Sequence, residues 1–493
     1  MNTAGSWPII IQGGMGAGVS NWMLARAVSL RGQLGVVSGT ALDSILVRRL
    51  QDGDFGGHVR RAMQAFPIPE VSAAALRRYF LPEGRAPGQP YKLLPMYKQV
   101  VNVARQQLTM LANFVEVRLA KEGHDGVVGI NLLTKVQLPN LASLCGAMLA
   151  GVDCVLMGAG IPRDIPGALD ALAEQRPAVI RFDVAGLASG ETEYITFDPV
   201  AHGGDLSVPL KRPRFVAIVS ANSLATTLAR KANGRVDGFV VEAPTAGGHN
   251  APPRGELKLT ETGEPVYGER DVVDLGKMRE LGLPFWLAGG TGSPAQVQRA
   301  LDEGAAGVQV GTLFAYCDES GFAEEIKREV LARAARGECN VMTDPRVSPT
   351  GYPFKVVRWK GDQIGRLQRE RLCDLGYLRT PYRREDGSIG YRCPAEPVDD
   401  YLRKGGALAD TVGRQCVCNG LLATIGHAQP RGEHSEEPPL ITSGDDLTNI
   451  STFLGGRTRY SATDVLDYLL AGVSAAHSGA ALSLAHGERD DRR

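Results

Sequence analysis

Eight short apolar runs, each ending at glycine or a small polar residue and each followed by a segment of helical pattern, punctuate the first two thirds of this chain. They are Pro8 to Gln12, Leu34 to Ser38, Val127 to Leu133, Cys154 to Met157, Phe215 to Ser220, Gly238 to Glu242, Pro284 to Ala288 and Gly307 to Val310. Runs that are apolar throughout, rather than alternating, suit strands covered on both faces, the condition of a parallel sheet with helices on either side. Eight such units favour closure into an α/β fold of (β/α)8 TIM-barrel type; an open doubly wound sheet is the alternative.

Two stretches interrupt the repeat. Residues from about 43 to 125, after the second strand, hold more helix than one crossover needs and read as an embedded helical insertion. Its clearest member, about Leu94 to Lys121, carries Tyr97, Val100, Val101, Ala104, Leu108, Leu111, Val115 and Leu119 at three- and four-residue spacing, a core-facing stripe. The insertion suits either a cover over the barrel mouth or a subunit interface, so an oligomer is compatible with the sequence. The second interruption, Ala178 to Arg214, includes the alternating segment Glu193 to Phe197 and a Gly203-Gly204 turn, which suggest a small hairpin over the rim. A chain of 493 residues also exceeds one core's usual roughly 250–300 residues. The expected division is a barrel over 1–345, a separate cysteine-containing C-terminal module over 346–473 with an amphipathic helix at Ala462 to Leu470, and a flexible tail over 474–493.

Composition excludes more than it selects. The 54 basic residues balance the 54 acidic ones, so no net field favours nucleic acid or an anionic membrane. The start of the chain has no export pattern, and no window offers the ~18 apolar residues of a membrane span. A soluble, cytoplasmic protein with mostly reduced cysteines is the expectation. The 60 glycines imply many tight turns or close backbone approaches to a ligand.

Glycine clusters sit where a barrel would bind a phosphate. Ala288-Gly289-Gly290-Thr291-Gly292 and Gln309-Val310-Gly311-Thr312 each follow one of the last two strands. In a closed barrel these loops lie side by side, where their N–H groups can meet phosphate oxygens; short barrel turns are the bland reading. After the first strand comes Gln12-Gly13-Gly14-Met15-Gly16-Ala17-Gly18. Its spacing is not that of a dinucleotide fingerprint, and no following strand ends in a suitably placed acid. Glycines there let a flat ring pack on backbone, with Met15 near its face. The sixth strand runs through Glu242 into Ala246-Gly247-Gly248-His249, lifting a histidine on two glycines at the catalytic face. A lone histidine is usually structural, but one so placed suits a general base or a substrate-orienting group.

These residues carry a family resemblance. Pro8-Ile-Ile-Ile-Gln-Gly-Gly-Met15, Gly129-Ile-Asn-Leu132, Ala246-Gly-Gly-His249, Ala288-Gly-Gly290 and Gln309-Val-Gly-Thr312 occur in the order seen in nitronate monooxygenases, over most of residues 8 to 315. The resemblance implies an FMN-dependent barrel in which Met15, Asn131, Gly247, Gly290 and the loop Gln309, Val310, Gly311 and Thr312 contact the flavin, and His249 is the active-site histidine. Gln12, Gly13, Gly14, Glu242, Gly248 and Gly289, in the same motifs, complete the candidate cofactor set. The implied activity is oxidation of small alkyl nitronates or nitroalkanes by molecular oxygen, the flavin carrying the redox step.

The chain also departs from the family. Glu242 stands where many members have glutamine, placing an ionisable carboxyl near the flavin. Thr245 replaces the usual acid, and Asn250-Ala-Pro-Pro253 follows the histidine. Flavin-dependent enoyl reductases share the barrel motifs, so NAD(P)H-dependent reduction of an enoyl thioester is the alternative, with Arg254 and Lys258 available to a carrier phosphate. A flavin-binding scaffold without catalysis is a third reading. Cys317 reads as structural. Cys373, Cys393, Cys416 and Cys418 could hold zinc or an iron–sulfur cluster but lack a Cys-x-x-Cys knuckle, so no metal is assigned.

Overall fold

The computed structural model describes residues 7–203, 210–359, 369–431 and 436–473. The expected tail and Gly204 of the predicted turn lie outside these residues. Among the described residues there are fourteen strands: β1 (Ile10–Gln12), β2 (Gly35–Ser38), β3 (Val128–Leu133), β4 (Cys154–Gly158), β5 (Ala178–Phe182), β6 (Glu193–Phe197), β7 (Arg214–Val219), β8 (Gly238–Glu242), β9 (Phe285–Ala288), β10 (Gly307–Val310), β11 (Asn340–Asp344), β12 (Phe354–Arg358), β13 (Thr380–Arg383) and β14 (Ile389–Arg392). Eight of them form one parallel sheet in the order β1-β10-β9-β8-β7-β4-β3-β2. The eight predicted strands are these eight, with ends within two residues.

The sheet closes into a barrel at β1 and β2, where the strands meet through a parallel bridge between Ile11 and Leu34. Gln12 N–H donates to Leu34 O at 2.9 Å and Leu34 N–H donates to Ile10 O at 3.1 Å. Beyond that bridge the Gln12 side chain takes over the ladder. Its Oε1 accepts from Val36 N–H at 2.9 Å, while its Nε2 donates to Ser20 Oγ at 2.8 Å and to Gly13 O.

Alternation along the strands separates two apolar layers. Ile11, Leu34, Val36, Cys154, Leu156, Val216, Val240 and Trp286 meet inside the barrel. Ile10, Val37, Ile130, Val155, Phe215, Phe239, Phe285 and Val308 face outward into the strand–helix core. Both sets being apolar, the period of two is hidden in the sequence. Trp7 packs edge-on against Trp286 at 5.0 Å, and Trp286 Nε1–H donates to Pro8 O at 2.9 Å, beside the start of β1.

The insertion forms helices Leu42–Gln51, His58–Gln64, Pro69–Tyr79 and Val103–Ala120. The last approaches helix Asn140–Leu149 so closely that a Cβ on Gly146 would lie 2.1 Å from Met110 O. It starts nine residues later than the predicted Leu94, since Pro95 disfavours helix for its neighbours and Asn102 supplies the N-cap, accepting from Ala104 N–H at 2.8 Å. No residue of 43–125 lines the cavity at the barrel mouth. Strands β5 and β6 form an antiparallel hairpin in the second interruption, but its turn falls between Phe182 and Glu193 and not at the expected Gly203, which ends the helix Pro199–Gly203.

Described residues of the 346–473 stretch share the barrel's core. Leu422, Ile441, Leu447, Phe453, Leu466 and Leu469 belong to the same apolar cluster as the strands. Buried polar contacts fix this arrangement. Tyr377 donates to Asp43 in the first insertion helix, and Asp43 pairs with Arg105 at 2.5 Å, both nearly water-free. The amphipathic helix is Ala462–Leu470, with Ser461 and Asp464 forming a capping box. No helix among the described residues is long and apolar enough to cross a membrane.

The seam yields a stability prediction. Gln12→Leu keeps the side chain's bulk but leaves Val36 N–H buried without an acceptor, and should lower unfolding free energy by about 1–3 kcal/mol in urea denaturation. An unchanged midpoint would remove Gln12 from the closure.

Candidate functional site

The cavity lies at the C-terminal ends of the barrel strands and holds about 1530 Å³, its open mouth included. All eight barrel strands contribute to its floor. Gly13, just past β1, joins Ser38, Asn131, Gly158, Ile218, Glu242, Ala288 and Gln309, which continue the inward-facing rows above the apolar layer. The step from apolar interior to a polar floor marks the ligand site at the usual face of such a barrel.

Alternation also decides where two candidate residues fall. Gln12 and Val310 do not line the cavity, because each is one position away from an inward-facing residue. Gln12 is spent on the β1–β2 seam, and Val310 faces the outer core. Gly13, Gly14, Met15, Asn131, Glu242, Gly247, Gly248, His249, Gly289, Gly290, Gln309, Gly311 and Thr312 all line the one cavity.

The loops after β9 and β10 are bound together by Thr291 Oγ1, which donates to Gln309 O at 3.0 Å. Gly289 and Gly290 have φ of +93° and +68°, conformations that favour glycine. A Cβ on Gly289 would also come within 2.7 Å of Thr245 Oγ1. Gly311 follows with Met15 beside it, a Cβ there lying 3.5 Å from Met15 Sδ. This leaves a backbone-lined concavity for an anionic group next to a sulfur-walled slot.

Polar atoms on the floor point to a heteroaromatic ligand. Asn131 Nδ2 donates to Gly14 O at 3.2 Å, but Asn131 Oδ1 and Gln309 Oε1 are buried with no hydrogen-bond partner. Two unused acceptors at a cavity wall suit the N–H edge of a flat ring, since a buried polar atom costs free energy until it is paired.

His249 is held rigidly. Its Nε2 lies 2.7 Å from Ser348 Oγ, which in turn is 2.8 Å from Thr350 Oγ1, and its ring meets Phe354 edge-on at 4.6 Å. Burial, reinforced by the charge of Lys135, brings its pKa down to about 4, so the imidazole is neutral at pH 7. Glu242, at the end of β8, is pushed up to about 8 by burial alone. Its carboxyl also borders a smaller cavity with Ser220, Tyr267 and Asp271.

The roof comes from a segment that sequence reasoning did not single out. Thr442 to Gly444 and Asp446 cross the mouth beside Tyr377, Leu378, Val417, Cys418 and Leu421. Gly248 N–H donates to Thr442 Oγ1 at 2.9 Å, Gly444 N–H to Thr312 Oγ1 at 3.0 Å, and Asp445 N–H to Thr245 O at 3.0 Å. A Cβ on Gly247 would lie 2.8 Å from the Ser443 carbonyl carbon, so glycine there admits this strap. Lys355, almost fully buried, anchors it through Asp445 at 2.6 Å. Asp446 lies over Gly292, with burial raising its pKa to about 6. No local motif announces these residues or Ser348; only a rule for long-range docking would find them.

Cys317 is buried and its thiol donates to Phe314 O at 3.1 Å, a packed structural cysteine. Arg254 and Lys258 are exposed, outside the main cavity, with Arg254 at the rim of the smaller one.

Comparison with known proteins finds partial matches. The model of the family described as nitronate monooxygenase matches residues 186–345. A nitronate monooxygenase of Pseudomonas aeruginosa is 31% identical over 193 residues, 39% of this chain and 48% of that protein. The chain thus spans about half the length of that relative. Among solved structures, nitroalkane oxidase from Streptomyces ansochromogenes is similar at 16% identity, covering 97% of this chain and 98% of that one with a TM-score of 0.44. FabK from Thermotoga maritima is similar at 15% identity, covering 94% and 92%, also with a TM-score of 0.44. The match spans the His249 turn and the Ala288 to Thr312 loops, so over residues 186–345 the chain is similar to the nitronate monooxygenase family.

Proposed function

We propose that this protein is an FMN-dependent oxidoreductase that oxidises small alkyl nitronates with molecular oxygen. The observation that carries the reading is the convergence, in one cavity, of the glycine-lined concavity, the unpaired acceptors of Asn131 and Gln309, and the fixed neutral His249. Gly289, Gly290, Gly311 and Thr312 would hold the phosphate, and Gly13, Gly14, Met15, Asn131 and Gln309 the ring. The bound flavin would supply the electron-accepting chemistry that no side chain offers.

Around His249 the charges favour an anionic substrate, while Asp446, over Gly292, carries the opposing negative charge. At neutral pH His249 is uncharged and Glu242 protonated, while Lys135 adds positive potential. A nitronate enters this environment at lower cost than it would beside an ionised carboxylate. With its basicity so depressed, His249 is better suited to orient the two nitro oxygens than to deprotonate a neutral nitroalkane. Ser348 fixes the ring for that task, and Tyr377, Leu378 and the strap limit water over the site.

Anaerobic addition of a nitronate to the FMN-loaded protein should bleach the visible flavin bands, and NADPH should not. Bleaching by NADPH alone would favour enoyl-thioester reduction, and inertness to both would leave a binding scaffold. His249→Ala should keep FMN affinity while lowering kcat/KM for the nitronate by roughly 10²–10⁴-fold; undiminished turnover would remove His249 from the mechanism.

Glu242 gives a test that needs no substrate. Its folded pKa, about 8, lies above its unfolded value of 4.5, so the folded state binds the extra proton between those limits. Stability contributed by Glu242 is therefore full below pH 4.5 and lost as pH rises toward 8. Glu242→Gln should match wild type in thermal denaturation at pH 4.5 and exceed it at pH 8.5; equal melting temperatures at both would show that the carboxyl is not buried.

A further inference from the structure

Four of the chain's eight cysteines gather at a second, small cavity away from the phosphate loops. Cys373 precedes β13, Cys393 follows β14, and Cys416 and Cys418 come from the start of helix Val417–Ala423. Among the described residues no group of three or more His, Cys, Asp or Glu is arranged to hold a metal ion. A different chemistry fits the arrangement. Cys373 and Cys393 line this cavity together, their side chains interact, and neither is in a disulfide.

We propose that Cys373 and Cys393 form a redox-active dithiol that reduces a hydroperoxide and closes to a disulfide at the base of the β13–β14 hairpin. The topology suits the closure. Thr380 and Arg392 are paired in register at the open end of the hairpin, with Cys393 directly beyond Arg392 and Cys373 on the chain leading in. Two thiols that line one small cavity can approach disulfide geometry by side-chain rotation and a local backbone adjustment.

The two sulfurs are also unequal. Cys373 is half-exposed, and the Cys393 S–H, followed by the charge of Arg379, holds its thiol below the usual cysteine range. Cys393 is buried and held protonated by that same contact and by burial. The other six cysteines are all pushed upward, as simple packing would require. The more accessible Cys373 suits the attacking role and the buried Cys393 the resolving one.

The Cys373 thiolate attacks one peroxide oxygen, breaking the O–O bond, to give a sulfenic acid and a hydroxide that takes up a proton. Cys393 sulfur then attacks the Cys373 sulfur, expelling the sulfenic oxygen as water while the Cys393 proton is released. Two thiols lose two electrons and two protons, and one hydrogen peroxide becomes two waters. The disulfide would enclose Tyr377 and Leu378, which line the barrel cavity, so oxidation would fix part of its roof. None of this depends on the flavin reading.

The test uses the full chain, reduced and desalted, with graded hydrogen peroxide, thiol counting in denaturant and non-reducing peptide mapping. Free thiols should fall from eight to six, with one Cys373–Cys393 linkage reversed by dithiothreitol. Iodoacetamide at neutral pH should modify Cys373 about tenfold faster than half-exposed Cys339. Cys393→Ser should stop at a sulfenic acid on Cys373, trapped by dimedone. Retention of all eight thiols, linkage of other cysteines, or equal alkylation of Cys373 and Cys339 would each overturn the proposal. The wild-type mapping decides even if the variant fails to fold.

Discussion

The closure of a parallel sheet on itself governs everything at the barrel mouth. Seven of the eight neighbouring strand pairs are joined by regular ladders, but β1 and β2 meet through the Ile11–Leu34 bridge and the carboxamide of Gln12. That side chain stands in for a stretch of backbone, supplying the acceptor that Val36 N–H would otherwise lack. β10 is held against β1 by its own ladder, which lays the Gly13–Met15 turn beside the Gly311 loop. The β1–β2 seam then brings Ser38 round to complete the floor.

Above the seam, desolvation sets the chemistry. The same burial that removes charge from His249 keeps the proton on Glu242, so one physical cause shifts a base down and an acid up. The result is a cavity whose histidine and glutamate carry no charge at neutral pH. Glutamate in place of glutamine at position 242 then preserves hydrogen-bonding capacity near neutrality while adding a proton that an amide cannot release.

Much of the barrel was legible in the chain because its evidence is local. Continuous apolar runs located all eight strands, glycine clusters located the loops, and the helix at Ala462–Leu470 was visible from its pattern. The misplaced residues were those whose assignment depends on which face a strand presents. In Gln12 and Val310 the motif suggested a ligand contact, but alternation turns both away, and apolar residues on both faces conceal that alternation. The start of helix Val103–Ala120 shifted because Pro95 and the Asn102 cap outweigh the hydrophobic period. The strap at Thr442–Asp446 and the Ser348 hydroxyl were invisible for a different reason: their roles arise from partners more than ninety residues away, and nothing in their own neighbourhood marks them.

The strap has a consequence for how this protein comes to exist. Gly248 and Thr442 are 194 residues apart in the chain, and Thr312 and Gly444 are 132 apart. During synthesis the eight strands emerge long before the residues that roof their mouth, so a nascent barrel would expose its glycine loops and polar floor to water. Contacts of such separation are late to form, because the loop entropy must be overcome before they stabilise anything. The enclosed cavity is therefore assembled from the chain's far end, after the scaffold that carries most of its lining residues has already been made.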